Sequence, residues 1–264
     1  MKSTVAVVVI AFTGVLFSGP LWADLPDTIA KIKPAVVIVG TYKETDSPRF
    51  RLRGTGFVVR HTNKDSSNLV ITNAHVLAQP ADADVDATVV VQIRTSPNEL
   101  QMRLAVVLEV DRQHDLALLQ FQGPPAPALT VGDSDAVQEG LTIAFTGFPI
   151  GGALGFSPVT HRGMISSIAA AALPTPTARA LNAQTIRSVR AGSFNIFQLD
   201  GTAYPGNSGG PLFDPTSGAV LGVVNMVFIK GSRESALSAP SGITYAIPSK
   251  FVNELLQRHA KQPD

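Results

Sequence analysis

The sequence predicts an all-β protein, a barrel or a sandwich. Three observations carry this. Short runs rich in Val, Ile, Thr and aromatic residues recur at fairly even spacing: AVVIVGTY, GTGFVVR, NLVIT, ATVVVQI, RLAVVLEV, LALLQF, LTIAFTG, GMISSI, FNIFQL, AVLGVVNMVF and GITYAI. No amphipathic helical segment separates consecutive runs, which disfavours a parallel α/β sheet. A Pro-rich stretch, QGPPAP at 122–127, divides the runs into two comparable groups and is the best linker in the chain.

The elements can be justified in order. Met1-Lys2, the apolar run STVAVVVIAFTGVLF and Gly19-Pro20-Leu21-Trp22-Ala23 read as the charged start, apolar centre and small-residue cut of a signal peptide spanning residues 1–23. Export follows, to a periplasm or to the outside, and no membrane association is expected once the leader is removed. A brief helix is expected near Asp27 to Lys31. The last helix, 249–259, follows Pro248-Ser249, where Phe251, Val252, Leu255 and Leu256 fall on one face. Two stretches break the strand rhythm. PIGGALGFSP (149–158) is glycine-rich but lacks the lysine and strand-turn-helix setting of a phosphate loop. Residues 171–193 show little alternation and carry Arg179, Arg187 and Arg190.

Composition excludes several functions. The chain has 21 Lys and Arg against 20 Asp and Glu, and loss of the leader removes one Lys and no acid. A net charge near zero gives no electrostatic basis for nucleic-acid binding. With no cysteine in 264 residues, there is no disulfide and no thiolate metal site. The five histidines, His61, His75, His114, His161 and His259, lack metal-ligand spacing, so neither metal nor other cofactor is expected.

Chemistry concentrates at three places. AYPGNSGGPL surrounds Ser208 with turn residues, and a serine hydroxyl needs a base to become a nucleophile. LVITNAHVL puts His75 at the end of a buried strand, where a rigid scaffold can hold it facing a cleft. In DRQHDLALLQF, Asp115 leads into an apolar strand that carries it inward, where a carboxylate needs a partner such as an imidazole N–H. Asp111 is the competing acid, one turn away in a more polar setting.

In that order, VITNAHVL, DLALL and PGNSGGPLF resemble the three motifs of trypsin-like serine proteases, closest to the HtrA/Deg type. GTGFVV (54–59) and GITYAIPSKFVNELL (242–256) extend the resemblance from about Lys33 to the last helix. It implies two packed six-stranded antiparallel β-barrels, the first at about 33–121 and the second at about 129–247, joined by a linker at 122–128. By the same resemblance Ser208 is the nucleophile, His75 the general base and Asp115 the acid that orients it. Gly206, Asn207 and Ser208 form the oxyanion turn, with the N–H groups of Gly206 and Ser208 aimed at the developing charge. The neutral Asn207 replaces the aspartate that pairs with a new N-terminus in digestive relatives, so no activation cleavage beyond the leader is expected. Thr202 lies near the base of the specificity pocket, and Asn225, Met226 and Val227 form its wall. With no acid there, small aliphatic residues are the expected preference. The loops at 149–160 and 171–193 resemble the family's activation loops. The chain ends after its final helix, so the PDZ module common in HtrA-type proteins is not expected, and residues 24–33 leave homo-oligomerisation open. The expected function is an exported serine endopeptidase acting on unfolded or damaged polypeptides. The alternative is a catalytically silent or ligand-gated peptide-binding or chaperone-like protein.

Overall fold

The structure is a computed structural model that describes residues 24–60, 64–77, 87–96, 99–149, 156–171, 194–226 and 242–261. The leader expected at 1–23 and Val227 lie outside these residues, as do nearly all of the stretch at 171–193 and the centre of the glycine-rich loop at 149–160.

The chain opens with α1 (Leu25–Ile32), whose first turn is capped by Asp24 accepting the Leu25 N–H. Strands β1 (Val36–Tyr42), β2 (Phe50–Val58), β4 (Leu69–Thr72), β5 (Thr88–Ser96), β6 (Glu99–Asp111) and β7 (Leu116–Phe121) close an antiparallel barrel in the order β1-β2-β4-β7-β6-β5. A second barrel is built from β9 (Thr142–Gly147), β10 (Val159–Ala171), β11 (Phe194–Asp200), β12 (Pro211–Phe213), β13 (Val220–Asn225) and β14 (Ile243–Pro248), in the order β10-β11-β14-β13-β12-β9. Closure gives every strand of the two barrels a neighbour on both sides, which suits strands of this apolar character. The two six-stranded antiparallel barrels expected from the resemblance are the observed fold.

The proline-rich stretch is stitched down. The two-residue strands β3 (Ser66–Ser67) and β8 (Ala126–Pro127) pair with each other, Leu129 bridges Val59 of the first barrel, and Val131 bridges Val220 of the second. The core follows the same pattern. One buried cluster runs from Val36, Ile38, Phe57, Ile71 and Leu118 of the first barrel into Phe213, Val223 and Ile247 of the second. Another, around Ile143, Phe145, Phe197 and Leu199, fills the second barrel.

The last helix is α3 (Lys250–Ala260), with Phe251, Val252, Leu255 and Leu256 buried as the spacing predicts. It packs against β14 and also reaches back to β6 and β7, so the C-terminal segment ties the second barrel to the first. Among the described residues no helix is long and apolar enough to cross a membrane.

Candidate active site

Strand β4 is buried along its whole length and delivers the chain to Asn73 and a one-turn helix, α2 (Ala74–Leu77). Fully buried Asn73 donates its side-chain N–H to the Asp115 carbonyl at 3.0 Å, and the Ala74 N–H reaches the same oxygen at 3.1 Å. These bonds fix the start of α2 against the turn between β6 and β7. His75 then meets Asp115 twice, through its backbone N–H to Oδ1 at 2.8 Å and through ring Nδ1 to Oδ2 at 2.5 Å. An ionised carboxylate only accepts, so Nδ1 carries the proton and Nε2 of a neutral imidazole is left as the acceptor. The His75 side chain is 31% exposed while that of Asp115 is 9% exposed, an arrangement with the acid beneath and the base at the cleft.

Asp115 adopts φ +52°, a left-handed conformation uncommon for a non-glycine residue. Its carbonyl and both carboxylate oxygens are held from outside, which is how such a conformation persists. The further donor is Asn225 Nδ2, 2.6 Å from Oδ2. Asn225 comes from the second barrel and was expected only as pocket wall. Its side chain is turned to the acid instead, and its backbone lies in the ladder with β14, opposite Tyr245. Asp111, the competing acid, lies away from His75 and contacts His114 and Arg258.

Ser208 lies on the turn before β12, 6% exposed, with its carbonyl accepting the Thr55 N–H at 2.8 Å. Gly206 at φ +105° and Gly209 at φ +86° make the reversal. A Cβ on Gly209 would stand 2.0 Å from the Thr55 carbonyl oxygen and 2.4 Å from Thr72 Oγ1, so only glycine lets the serine turn sit this close to the first barrel. A Cβ on Gly54 would lie 2.7 Å from Val76 Cγ2 and 2.9 Å from the Ser208 carbonyl, so the α2 segment and the serine turn both close on β2 at one point.

Among the described residues, the N–H groups of Gly206 and Ser208 have no backbone carbonyl partner, whereas that of Asn207 donates to Tyr204 O at 3.0 Å. Gly206 and Ser208 are thus the candidate oxyanion donors, while the Asn207 N–H is engaged in closing the turn. The Asn207 side chain is fully buried, with neither amide atom hydrogen-bonded among the described residues. Thr202 and Met226 are half-buried near this turn, the latter packed on the second core.

Thr55 is a junction that the motif reading passed over. Its hydroxyl donates to Gly206 O at 2.6 Å and accepts the Phe148 N–H at 3.0 Å, while its own carbonyl accepts Thr72 Oγ1 at 2.7 Å. A fully buried threonine between glycines, where a strand would prefer an apolar residue, was the available signal. His161 stacks on Phe145 with centroids 4.9 Å apart and lies beside Tyr204; burial lowers its pKa from the usual value. No group of His, Asp and Glu among the described residues could hold a metal ion.

The chain is similar to known proteases over most of its length. It is 28% identical over 206 residues to a probable periplasmic serine endoprotease DegP-like of Marinomonas sp. (strain MWYL1), covering 78% of this chain and 35% of that protein. It is 29% identical over 209 residues to the mitochondrial serine protease HTRA2 of Drosophila willistoni, covering 79% of this chain and 39% of that one. The chain therefore spans little more than a third of the length of these curated relatives. Among solved structures, the HtrA-type protease AlgW with a tripeptide superposes with a TM-score of 0.62 at 24% identity, covering 90% of this chain and 64% of that one. AlgW with a decapeptide gives 0.62 at 22% identity, covering 91% and 68%. The model of the trypsin-like peptidase domain matches residues 54–223, which include His75, Asp115 and Ser208, and on that match the chain belongs to the trypsin-like peptidase domain family.

Proposed function

We propose that the protein is an HtrA-like serine endopeptidase that cuts unfolded or damaged polypeptides after export, in protein quality control. The observation that carries this is the double contact of His75 with Asp115, which fixes the ring tautomer and leaves Nε2 as base. Ser208 Oγ attacks the peptide carbonyl as His75 Nε2 takes its proton. The Gly206 and Ser208 N–H groups stabilise the oxyanion, and Asp115 stabilises the imidazolium that forms. His75 then returns the proton to the leaving amine, and water, activated by the same nitrogen, releases the acyl group. Removing one oxyanion donor typically costs about 3 kcal/mol of barrier, on the order of a hundredfold in rate, so the geometry of the turn contributes beside the hydroxyl.

The periplasmic relative supports a periplasmic location, and the peptide-bound AlgW structures support an extended peptide as ligand. Such a peptide would add as a strand along Asn225-Met226-Val227. Thr202 and this strand would favour small aliphatic side chains at the cut, and the loops at 149–160 and 171–193 would gate the oxyanion turn.

The test is labelling of residues 24–264 by a fluorophosphonate probe beside Ser208→Ala and His75→Ala, with digestion of unfolded casein in parallel. The wild type alone is expected to label and to cut casein, with kcat in either variant down roughly a million-fold. A folded wild type that neither labels nor cuts overturns the proposal in favour of a silent or ligand-gated binding protein.

A further inference from the structure

The turn that presents Asp115 carries a second charged cluster on its other side, and the proposed reaction does not use it. Asp111 closes the turn by accepting the His114 backbone N–H on Oδ1 at 3.0 Å and the His114 ring Nδ1–H on Oδ2 at 2.9 Å. The same Oδ2 accepts Arg258 Nη2 at 2.7 Å, and Arg258 Nε donates to Glu109 Oε1 at 2.8 Å. Arg258 belongs to α3. The His114 ring stacks on Phe251 of that helix, with centroids 3.9 Å apart and planes 16° from parallel, and meets Phe194 of β11 edge-on at 4.8 Å. His114 and Asp115 share a peptide bond, yet one side chain is gripped by the C-terminal helix and the other by His75 and Asn225.

We propose that Asp111, His114 and Arg258 form a clasp through which α3 sets the alignment of Asp115, making them positioning residues for the acid; this rests on the reading of Asp115 given above. A left-handed backbone at a non-glycine residue is strained and relaxes unless both flanks are held. Downstream, the flank is held by the buried Leu116 and by the Asn73 and Ala74 bonds to the Asp115 carbonyl. Upstream, what holds it is His114, pinned between the Asp111 carboxylate and Phe251. Release of that grip lets the peptide between residues 114 and 115 rotate. The two carboxylate contacts to His75 then lose their geometry together, since one hydrogen-bonds to its backbone and the other to its ring. The Asp111 carboxyl is suited to anchoring the clasp. Burial pushes its pKa up, but the His114 side-chain and backbone hydrogen bonds, the charge interaction with His114 and the Arg258 hydrogen bond outweigh this and bring it to about 2. It stays ionised throughout the range in which His75 works as a base.

The test compares wild type, Arg258→Ala, Arg258→Lys, His114→Ala and His114→Asn with a peptide substrate. Readouts are kcat and KM, the pH profile of kcat/KM and the low-field proton resonance of His75 Nδ1–H. The alanine variants are expected to lower kcat about tenfold with KM nearly unchanged, to displace the acid limb of the profile and to shift or broaden the resonance. Lys at 258 and Asn at 114 each restore an N–H donor and are expected to recover most of the rate. Arg258→Ala decides if His114→Ala fails to fold, because the Arg258 side chain is 43% exposed and its loss leaves the core intact. A wild type that turns over substrate, with alanine variants that keep its kcat, profile and resonance while losing only thermal stability, overturns the clasp and leaves the triad untouched. A wild type without turnover or Ser208 labelling removes the reading on which the clasp depends.

Discussion

Gly209→Ala is the sharpest test of how the serine turn is docked, because the chain supplies its own control. Gly209 and Gly140 have nearly the same φ, +86° and +85°. Their surroundings differ completely. Among the described residues a Cβ on Gly140 would meet nothing within 4 Å, whereas one on Gly209 would lie 2.0 Å from the Thr55 carbonyl oxygen, 2.4 Å from Thr72 Oγ1 and 3.2 Å from the Asn73 nitrogen. At Gly140 alanine therefore incurs only the left-handed backbone term, about 1–2 kcal/mol. At Gly209 the same term is joined by a clash with backbone that cannot rotate away, a further cost of about 1–3 kcal/mol or more. For a domain of this size each kcal/mol lowers Tm by about 2–4 °C, so Gly140→Ala should lose about 5 °C and Gly209→Ala about 10 °C or more. Circular dichroism melts give both shifts. Fluorophosphonate labelling at a temperature where both variants are folded should show Gly209→Ala alone slowed, because relief of the clash moves Ser208. Equal melting shifts, or labelling unaffected at Gly209, would refute the close approach of the turn to β2 and β4.

Two more predictions concern the acid side. Asn225→Ala removes the 2.6 Å donor to Asp115 Oδ2, and a charge-assisted hydrogen bond of about 1.5 kcal/mol corresponds to a kcat about tenfold lower with KM little changed; an effect on KM alone would place Asn225 with the substrate instead. Asp111, held at about 2 against an ordinary 3.8, gives stability that is fully present above pH 4 and is lost as the pH falls towards 2. The span corresponds to about 2 kcal/mol, so the stability gap between wild type and Asp111→Asn, measured by urea unfolding, should narrow steadily from pH 5 to pH 2. A gap independent of pH would contradict it.

The strands, the final helix and the candidates His75, Asp115 and Ser208 were legible in the sequence because each of these is a local pattern: alternation, helical spacing, or a turn motif around one reactive residue. What it did not show is how the two barrels meet. Asn225 and Asp115 are 110 residues apart, and nothing in VVNMV says which distant group its amide will find. The one local hint was an amide inside a buried strand, a group that must be paired somewhere. Thr55 hides in the same way within GTGFVV, where its hydroxyl serves Gly206 from the other barrel, 151 positions later. For Asn207 the motif gave the residue but not the orientation of its peptide, which is decided by the turn bond to Tyr204. Asp111 read as a solvated rival of Asp115 because Arg258 and Phe251, which bury its turn, come from the far end of the chain.

The junction at Thr55 ties the two barrels together at the proposed site. The proposed base and acid are carried by β4, α2 and the turn before β7, all within the first barrel, while Ser208 and Asn225 arrive with the second. A chain in which only one barrel has folded, or in which the two have come apart, holds either a base without a nucleophile or a nucleophile without a base. The hydrolytic chemistry proposed for this protein is then switched on by the same docking event that completes the core. Molecules caught part-way through folding, when their own loops and their neighbours' are most open to cutting, have no means to make the cut.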